Sequence, residues 1–265
     1  PINGGEVKSG DGRFLISSEQ GVFYNDIVVS IDKILNNSVI PKMPSDDRFT
    51  KASEIYSVRL ANSTNAMDKD KTVKLIFEYY GPYLTAGIYK YANGTWIYMP
   101  SNVDDKSITT FISPKLLNNK TDIYAVFIDS KAITPYDIRG HWAKDEIITY
   151  VRRGIVDVDS NNNLSPNSYV SKAQLLTYIN KVYNKNYTAI DMGLELLDIQ
   201  KVNEPVTYKE VEAIMKKATN DKNFTWKSIA DKIVKIKDRY TLSFNSMNNY
   251  ITRAEAIYML YFLTE

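Results

Sequence analysis

Apolar and polar positions alternate with a period near two along the first half of the chain, and the period lengthens toward 3.6 in the second half. In the first half, short runs rich in Val, Ile, Tyr, Phe and Thr recur between turn signals: GRFLISS, FYNDIVVSI, EIYSVRLA, TVKLIFEYY, AGIYKYA, TWIYMP, SITTFI and DIYAVFID. These residue types fit a half-buried pleated surface, so each run predicts a strand. Val73, Leu75 and Phe77 alternate with Lys74, Ile76 and Glu78. The sharpest local signal is IYKYANGTWIYM, in which Asn93-Gly94 supplies two positive-φ residues for a type I′ turn. That turn places Tyr89, Tyr91, Trp96 and Tyr98 on one hairpin, either as a sugar-binding platform or, the favoured reading, as cross-strand pairs covering a core. Strand and helix readings compete over DIVVSIDKILNN.

Strands of this number and spacing predict an all-β, Greek-key or immunoglobulin-like sandwich over residues 1–133. From about residue 136 the pattern becomes helical and repeats. VSKAQLLTYINKV at 170–182, VTYKEVEAIMKKA at 206–218 and ITRAEAIYMLYFL at 251–263 align without gaps. Each opens with a β-branched apolar residue, then Ser or Thr, with Gln or Glu three positions later. These are capping boxes: Ser171 with Gln174, Thr207 with Glu210, and Thr252 with Glu255. Val170, Val206 and Ile251 are placed to staple onto Leu175, Val211 and Ala256. The apolar stripe continues through Ile179, Met215 and Leu260. A helix over His141–Val156, with Trp142 near its start, precedes the first segment. A second, Phe224–Ile236 with Trp226, precedes the third. The middle unit has AIDMGLELLDIQ as its first helix and no Trp.

Composition narrows the chemistry. The chain has 265 residues, a length for two domains, and 33 basic against 31 acidic side chains leave a charge of +2. That balance excludes a broadly basic nucleic-acid surface, so any anion site must be local. No apolar run approaches a membrane span, which predicts a soluble chain. With no Cys there is no disulfide frame, Cys-based zinc site or thiol nucleophile, and the single His141 leaves little room for a triad or proton shuttle. His141 is read as a helix-start residue. Asp157, Asp159, Asn161 and Asn163 have the odd-numbered spacing of a calcium loop. Asn162 and Ser168 stand where that loop needs Gly and Glu, so a polar loop is expected and no metal or cofactor. The pairs Asp46-Asp47 and Asp104-Asp105 read as solvated, so the chain is expected not to be an enzyme. It opens with Pro1 and shows no signal peptide, and is read as a processed or trimmed fragment.

The helical half resembles the S-layer homology domain. Ile251-Thr252-Arg253-Ala254-Glu255 is that family's signature unchanged. Asp137-Ile138, His141-Trp142-Ala143, Arg153-Gly154-Ile155 and Leu164-Ser165-Pro166 match its opening elements. The resemblance implies a pseudo-threefold bundle of three units, here 136–184, a degenerate 185–220 and 221–265. It also implies non-covalent anchoring of a bacterial surface protein to an acidic, pyruvylated wall polysaccharide. The implied location is the extracellular face of a bacterium, the implied partners are that polysaccharide and other surface-layer copies, and a Gram-positive wall is expected. The G-I-Y-x-Y-x-x-G-x-W hairpin of the β half resembles modules that precede such units in clostridial-type surface proteins, which implies position in a larger protein rather than chemistry.

The resemblance puts the signature arginine in an inter-repeat groove against the acidic sugar. Only Arg253 keeps it; Lys172 and Tyr208 stand at the other two positions, Gln174 replaces Glu, and Asn161–Asn163 replace the usual Gly-rich loop. One or two of the three grooves are therefore expected to be dead or altered. Independently of the family, a guanidinium in the first turn of a helix is suited to grip a carboxylate. Arg253 leads the candidate glycan-binding residues, with Lys172, Trp142 and Trp226. For the two Trp residues a core role is the first expectation and stacking on a sugar the second. The competing functional reading is a structural, self-assembling surface-layer module that binds no glycan.

Overall fold

Alternation of inward apolar and outward polar residues gives the first half its strands. The computed structural model describes residues 3–35, 47–61, 68, 71–117, 121–193, 201, 203–236 and 246–264. The chain divides into two compact units, Pro1–Ile133 and Thr134–Glu265.

In the first unit, β1 (Gly5–Lys8), β2 (Phe14–Ser18), β6 (Val73–Glu78), β10 (Ser107–Ile112) and β9 (Asn102–Asp104) form one antiparallel sheet in that spatial order. The second sheet runs β3 (Val28–Lys33), β5 (Tyr56–Ala61), β11 (Thr121–Asp129), β7 (Ala86–Ala92), β8 (Thr95–Met99). The short β4 (Phe49–Lys51) pairs with the end of β11, whose beginning pairs with β5. DIVVSIDKILNN thus resolves as strand β3; Asn36 onward in that run, like Asp46, lies outside the described residues.

The period-two reading of β6 holds: Val73, Leu75 and Phe77 are fully buried, whereas Glu78 is exposed. Phe14 of one sheet packs on Tyr56 of the other at 5.2 Å and on Phe77 at 4.2 Å, so the inner faces share one core. Full burial of a ring such as Phe77 contributes roughly 2 kcal/mol. At the hairpin tip Asn93 and Gly94 have φ of 52° and 82°, and Tyr91 faces Trp96. Tyr89, Tyr98 and Phe127 are almost fully buried in edge-on contacts, joined by Phe49 and Trp96. The hairpin therefore covers a second apolar layer on the outer face of β11. Gly87 is required there, since a Cβ would stand 2.5 Å from the Tyr98 ring.

In the second unit, the α-helices that lie within the described residues are α1 (Lys144–Arg152), α2 (Lys172–Tyr183), α3 (Tyr208–Thr219), α4 (Trp226–Ile236) and α5 (Arg253–Thr264). Helix α1 is shorter than His141–Val156. The His141 Nδ1 accepts the Ala143 amide, which fixes a turn ahead of the helix. At the other end Gly154, with φ of 68°, closes a Schellman motif: the Ile155 amide donates to Tyr150 O and the Gly154 amide to Val151 O. Asn184 and Asn220 end α2 and α3 in the same left-handed conformation. Of AIDMGLELLDIQ, residues 194–200 lie outside the described residues, and Ala189–Gly193 form turns.

The three helix starts meet in a ring. Val170 N donates to Ile251 O at 3.0 Å, Ile251 N to Val206 O at 3.1 Å, and Val206 N to Val170 O at 3.1 Å. All three side chains are fully buried in the core that also holds Leu175, Val211 and Ala256. The staple positions of the sequence are thus the hub of this unit.

Candidate functional site

All three capping boxes form. Ser171 Oγ accepts the Gln174 amide at 3.2 Å, and Gln174 Oε1 accepts the Ser171 amide at 3.1 Å. Thr207 and Glu210 exchange the same bonds at 3.2 and 2.8 Å, and Thr252 and Glu255 at 3.2 and 2.9 Å. The caps hold the backbone so that the next residue, Lys172, Tyr208 or Arg253, crosses to a neighbouring segment. Lys172 N donates to Glu204 O, Tyr208 N to Asn249 O and Arg253 N to Ser168 O, at 2.9–3.0 Å. Three equivalent seams result, around the ring.

The side chains at these seams differ. Lys172 is only 14% exposed, and its ammonium lies 3.1 Å from Glu210 Oε1 and 3.4 Å from Glu204 Oε2. Burial works against that ammonium, but the two carboxylates outweigh it and raise its pKa. The adjoining cavity of about 320 Å³ is lined by Lys172, Lys201, Glu204 and Glu210, two charges of each sign. Lys172 therefore has its counter-charge inside the protein. Tyr208 is fully buried, its ring 4.8 Å from that of Trp226, and its hydroxyl donates to Glu255 Oε1 at 2.9 Å.

Arg253 is half-buried. Its Nη1 donates to Leu164 O at 2.6 Å, and Leu164 is itself held by Asp137, whose Oδ1 accepts the Leu164 amide and Oδ2 the Ser165 amide. Among the described residues Arg253 has no ion-pair partner, and its buried Nε has no acceptor. The neighbouring charge is felt by Tyr178 of α2: burial pushes the phenol pKa up and Arg253 offsets part of that rise.

The two aromatic candidates differ in burial. Trp226 has no exposed surface, so stacking on a sugar is corrected to a core anchor beneath Tyr208. Trp142 is half-buried, with its ring 5.6 Å from Tyr258 and 5.6 Å from His141. His141 Nε2 lies 3.2 Å from Asn167 Oδ1; with Nδ1 accepting an amide, the proton sits on Nε2. Asp159 Oδ1 accepts the Asn161 and Asn163 amides, which closes the would-be calcium loop on itself. Among the described residues no cluster of three acidic or His side chains is arranged to hold a metal.

Sequence reasoning did not single out Tyr178, Glu204 or the Leu164 carbonyl. Tyr178 had a usable signal, standing four residues after Gln174 on the same helix face. Glu204 had none, because it reaches Lys172 through the seam. A cleft of about 420 Å³ in the first unit was also unforeseen. It is lined by Arg13, Lys51, Glu54, Glu78 and Tyr80, and its charges pair off as Arg13–Glu78 at 3.7 Å and Lys51–Glu54 at 3.4 Å.

The S-layer homology domain matches residues 136–176, from the turn before α1 through the first half of α2. No curated protein and no solved structure matches the chain. No helix among the described residues is long and apolar enough to cross a membrane. The matched segment holds Asp137, Leu164 and Ser168, the residues that position Arg253 from the opposite side of its seam. Residues 136–176 are thus similar to the S-layer homology domain, a module that points to the cell surface.

Proposed function

We propose that the second unit anchors a bacterial surface protein without covalent attachment, by binding an acidic, pyruvylated wall polysaccharide at the Arg253 seam. The observation that carries this reading is the Arg253 guanidinium: half-buried, fixed by one bond to Leu164 O, and without an anionic partner among the described residues. A guanidinium so held has donors left for a carboxylate, and its site in the first turn of α5 adds the favourable end of the helix dipole. The three segments act as three units of one pseudo-threefold bundle, and the first unit serves as an immunoglobulin-like spacer in an extracellular, Gram-positive setting. The mechanism is reversible recognition, with no bond made or broken and no cofactor.

A second reading, a self-assembling surface-layer module, is favoured by a separate observation: the seams at Lys172 and Tyr208 are filled by internal partners. Calorimetric titration of pyruvylated wall polysaccharide separates the two. Anchoring expects saturable binding by the wild type and a loss of at least about tenfold in Arg253→Met with unchanged circular dichroism. No binding by the wild type would leave the assembly reading in its place.

A further inference from the structure

The cleft of the first unit is built from strand ends of both sheets. One wall is Arg13, just before β2, with the run from Glu78, the last residue of β6, to Pro82. The other is the run from Lys51 to Glu54 after β4, with Tyr56 at the start of β5. Backbone bonds fix both walls. Glu78 N donates to Arg13 O at 2.8 Å and Tyr79 N to Lys106 O at 3.1 Å. The ring of Tyr79 is almost fully buried and its hydroxyl donates to Pro82 O at 3.2 Å. Gly81 is required beside it, because a Cβ there would collide with that hydroxyl. Opposite, Ala52 N donates to Val126 O, and Ser53 Oγ accepts the Val126 amide, both at 2.8 Å. The cleft is therefore held open in advance, and its volume of about 420 Å³ suits a small ligand. Its charges cancel. Arg13 pairs with Glu78 at 3.7 Å and Lys51 with Glu54 at 3.4 Å, yet these side chains remain 34–66% exposed. Tyr80 is 68% exposed although it sits between fixed residues, and a hydrogen bond to Glu78 raises its pKa.

We propose that this cleft binds a neutral sugar: the C–H face of one hexose ring lies on Tyr80, and its adjacent hydroxyls exchange hydrogen bonds with the Arg13–Glu78 and Lys51–Glu54 pairs. A hydroxyl both donates and accepts, so a cation beside a carboxylate matches two neighbouring hydroxyls without any change of charge. A charged ligand would have to compete with pairs already made. An extended peptide has no strand edge to join at β2, β5, β6 or β11, whose ends open onto the cleft, because each of these pairs on both sides. The proposal is independent of the Arg253 seam, since it concerns the other unit and a ligand of different charge.

The test is an amide-resolved NMR titration of the full chain with the methyl β-glycosides of glucose, galactose, mannose and N-acetylglucosamine, and with the methyl glycoside of glucuronate as the acidic counterpart. At least one neutral sugar should give saturable shifts confined to the amides of the two walls, 51–54 and 78–81. Tyr80→Ala, at an exposed position and checked by circular dichroism, should weaken that binding about fivefold or more, the scale of one aromatic face. Tyr80→Phe, which keeps the ring, should stay within about twofold of wild type. Arg253→Met should bind the sugar as wild type does, so failure of the anchoring reading leaves this result untouched. The proposal is overturned if none of the four neutral sugars shifts these amides or if Tyr80→Ala binds as tightly as wild type. It is equally overturned if glucuronate binds the cleft more tightly than glucose, or if Arg253→Met loses the neutral sugar.

Discussion

Asp129 in the first unit and Glu255 in the second are both fully buried carboxylates, and they are satisfied in opposite ways. Asp129 meets a cation. Arg48 grips it with Nε at 2.6 Å and Nη2 at 2.7 Å, from 81 residues away in the chain. Among the described residues Glu255 meets only neutral donors, the Thr252 amide and hydroxyl and the Tyr208 hydroxyl, each at 2.9 Å. Arg253, two positions before it in sequence, bonds the Leu164 carbonyl instead. The contrast teaches how a cation comes to lack a counter-charge in a nearly neutral chain. Where a buried carboxylate is matched by a cation, both charges serve the fold; where neutral donors suffice, a neighbouring cation stays available.

Three substitutions test how far this contrast extends. The largest effect is expected for Asp129→Ala, which strands the half-buried Arg48 guanidinium and removes the acceptor of the Lys131 amide. Breaking such a pair costs about 3 kcal/mol or more. Urea denaturation, with hydrogen exchange of peptides from β4 and β11, should show the loss in the first unit. A cost under about 1 kcal/mol would mean that the pair does not hold that unit together. Next is Tyr208→Phe, which keeps the stack on Trp226 but takes one donor from buried Glu255. A loss of about 1–3 kcal/mol is expected in the second unit, and an unchanged midpoint would show that the two Thr252 donors are enough.

The smallest effect concerns the partly exposed Lys172–Glu210 pair. Burial opposes the Glu210 carboxylate, but hydrogen bonds from Thr207 and the Lys172 charge outweigh it and lower its pKa. A lowered folded-state pKa means that the contribution is present above the unfolded glutamate value and is lost as pH falls through the folded one. Glu210→Gln should therefore be less stable than wild type at pH 7 and converge with it toward pH 3. Parallel pH profiles would remove the pair from the account.

What was legible in the sequence is what is local. The capping boxes span three residues, the Asn93-Gly94 turn spans two, and the staples precede their helices by fixed offsets, so residue type and spacing were enough. The period-two runs likewise located the strands, but not their partners. Nothing in the sequence says that β11 shares one edge between β5 and β4, because strand pairing is decided by distant segments. The start of α1 was misplaced for a related reason. His141 has no helix-stopping character of its own, and only the bond from the Ala143 amide to its ring fixes a turn there. The candidate site was half legible. Arg253 stood out by its motif, whereas the closure of the Lys172 seam depends on Glu204, 32 residues away, and on a cavity lined by equal and opposite charges. Trp226 illustrates the limit: an aromatic at helical spacing reads alike as core or platform until its neighbours are known.

The ring of Val170, Ile251 and Val206 also bears on the order in which this unit comes into being. With only the first two segments synthesised, just one of its three bonds, Val206 N to Val170 O, has both partners. The Val170 amide and the Val206 carbonyl must wait for Ile251, 81 positions beyond Val170. Burying either of them early costs about 1–3 kcal/mol, on top of the entropy of closing so long a loop. The hub therefore disfavours a finished two-segment intermediate. The unit locks only once Ile251 has left the ribosome, which makes loss of its third segment a lesion for the whole unit.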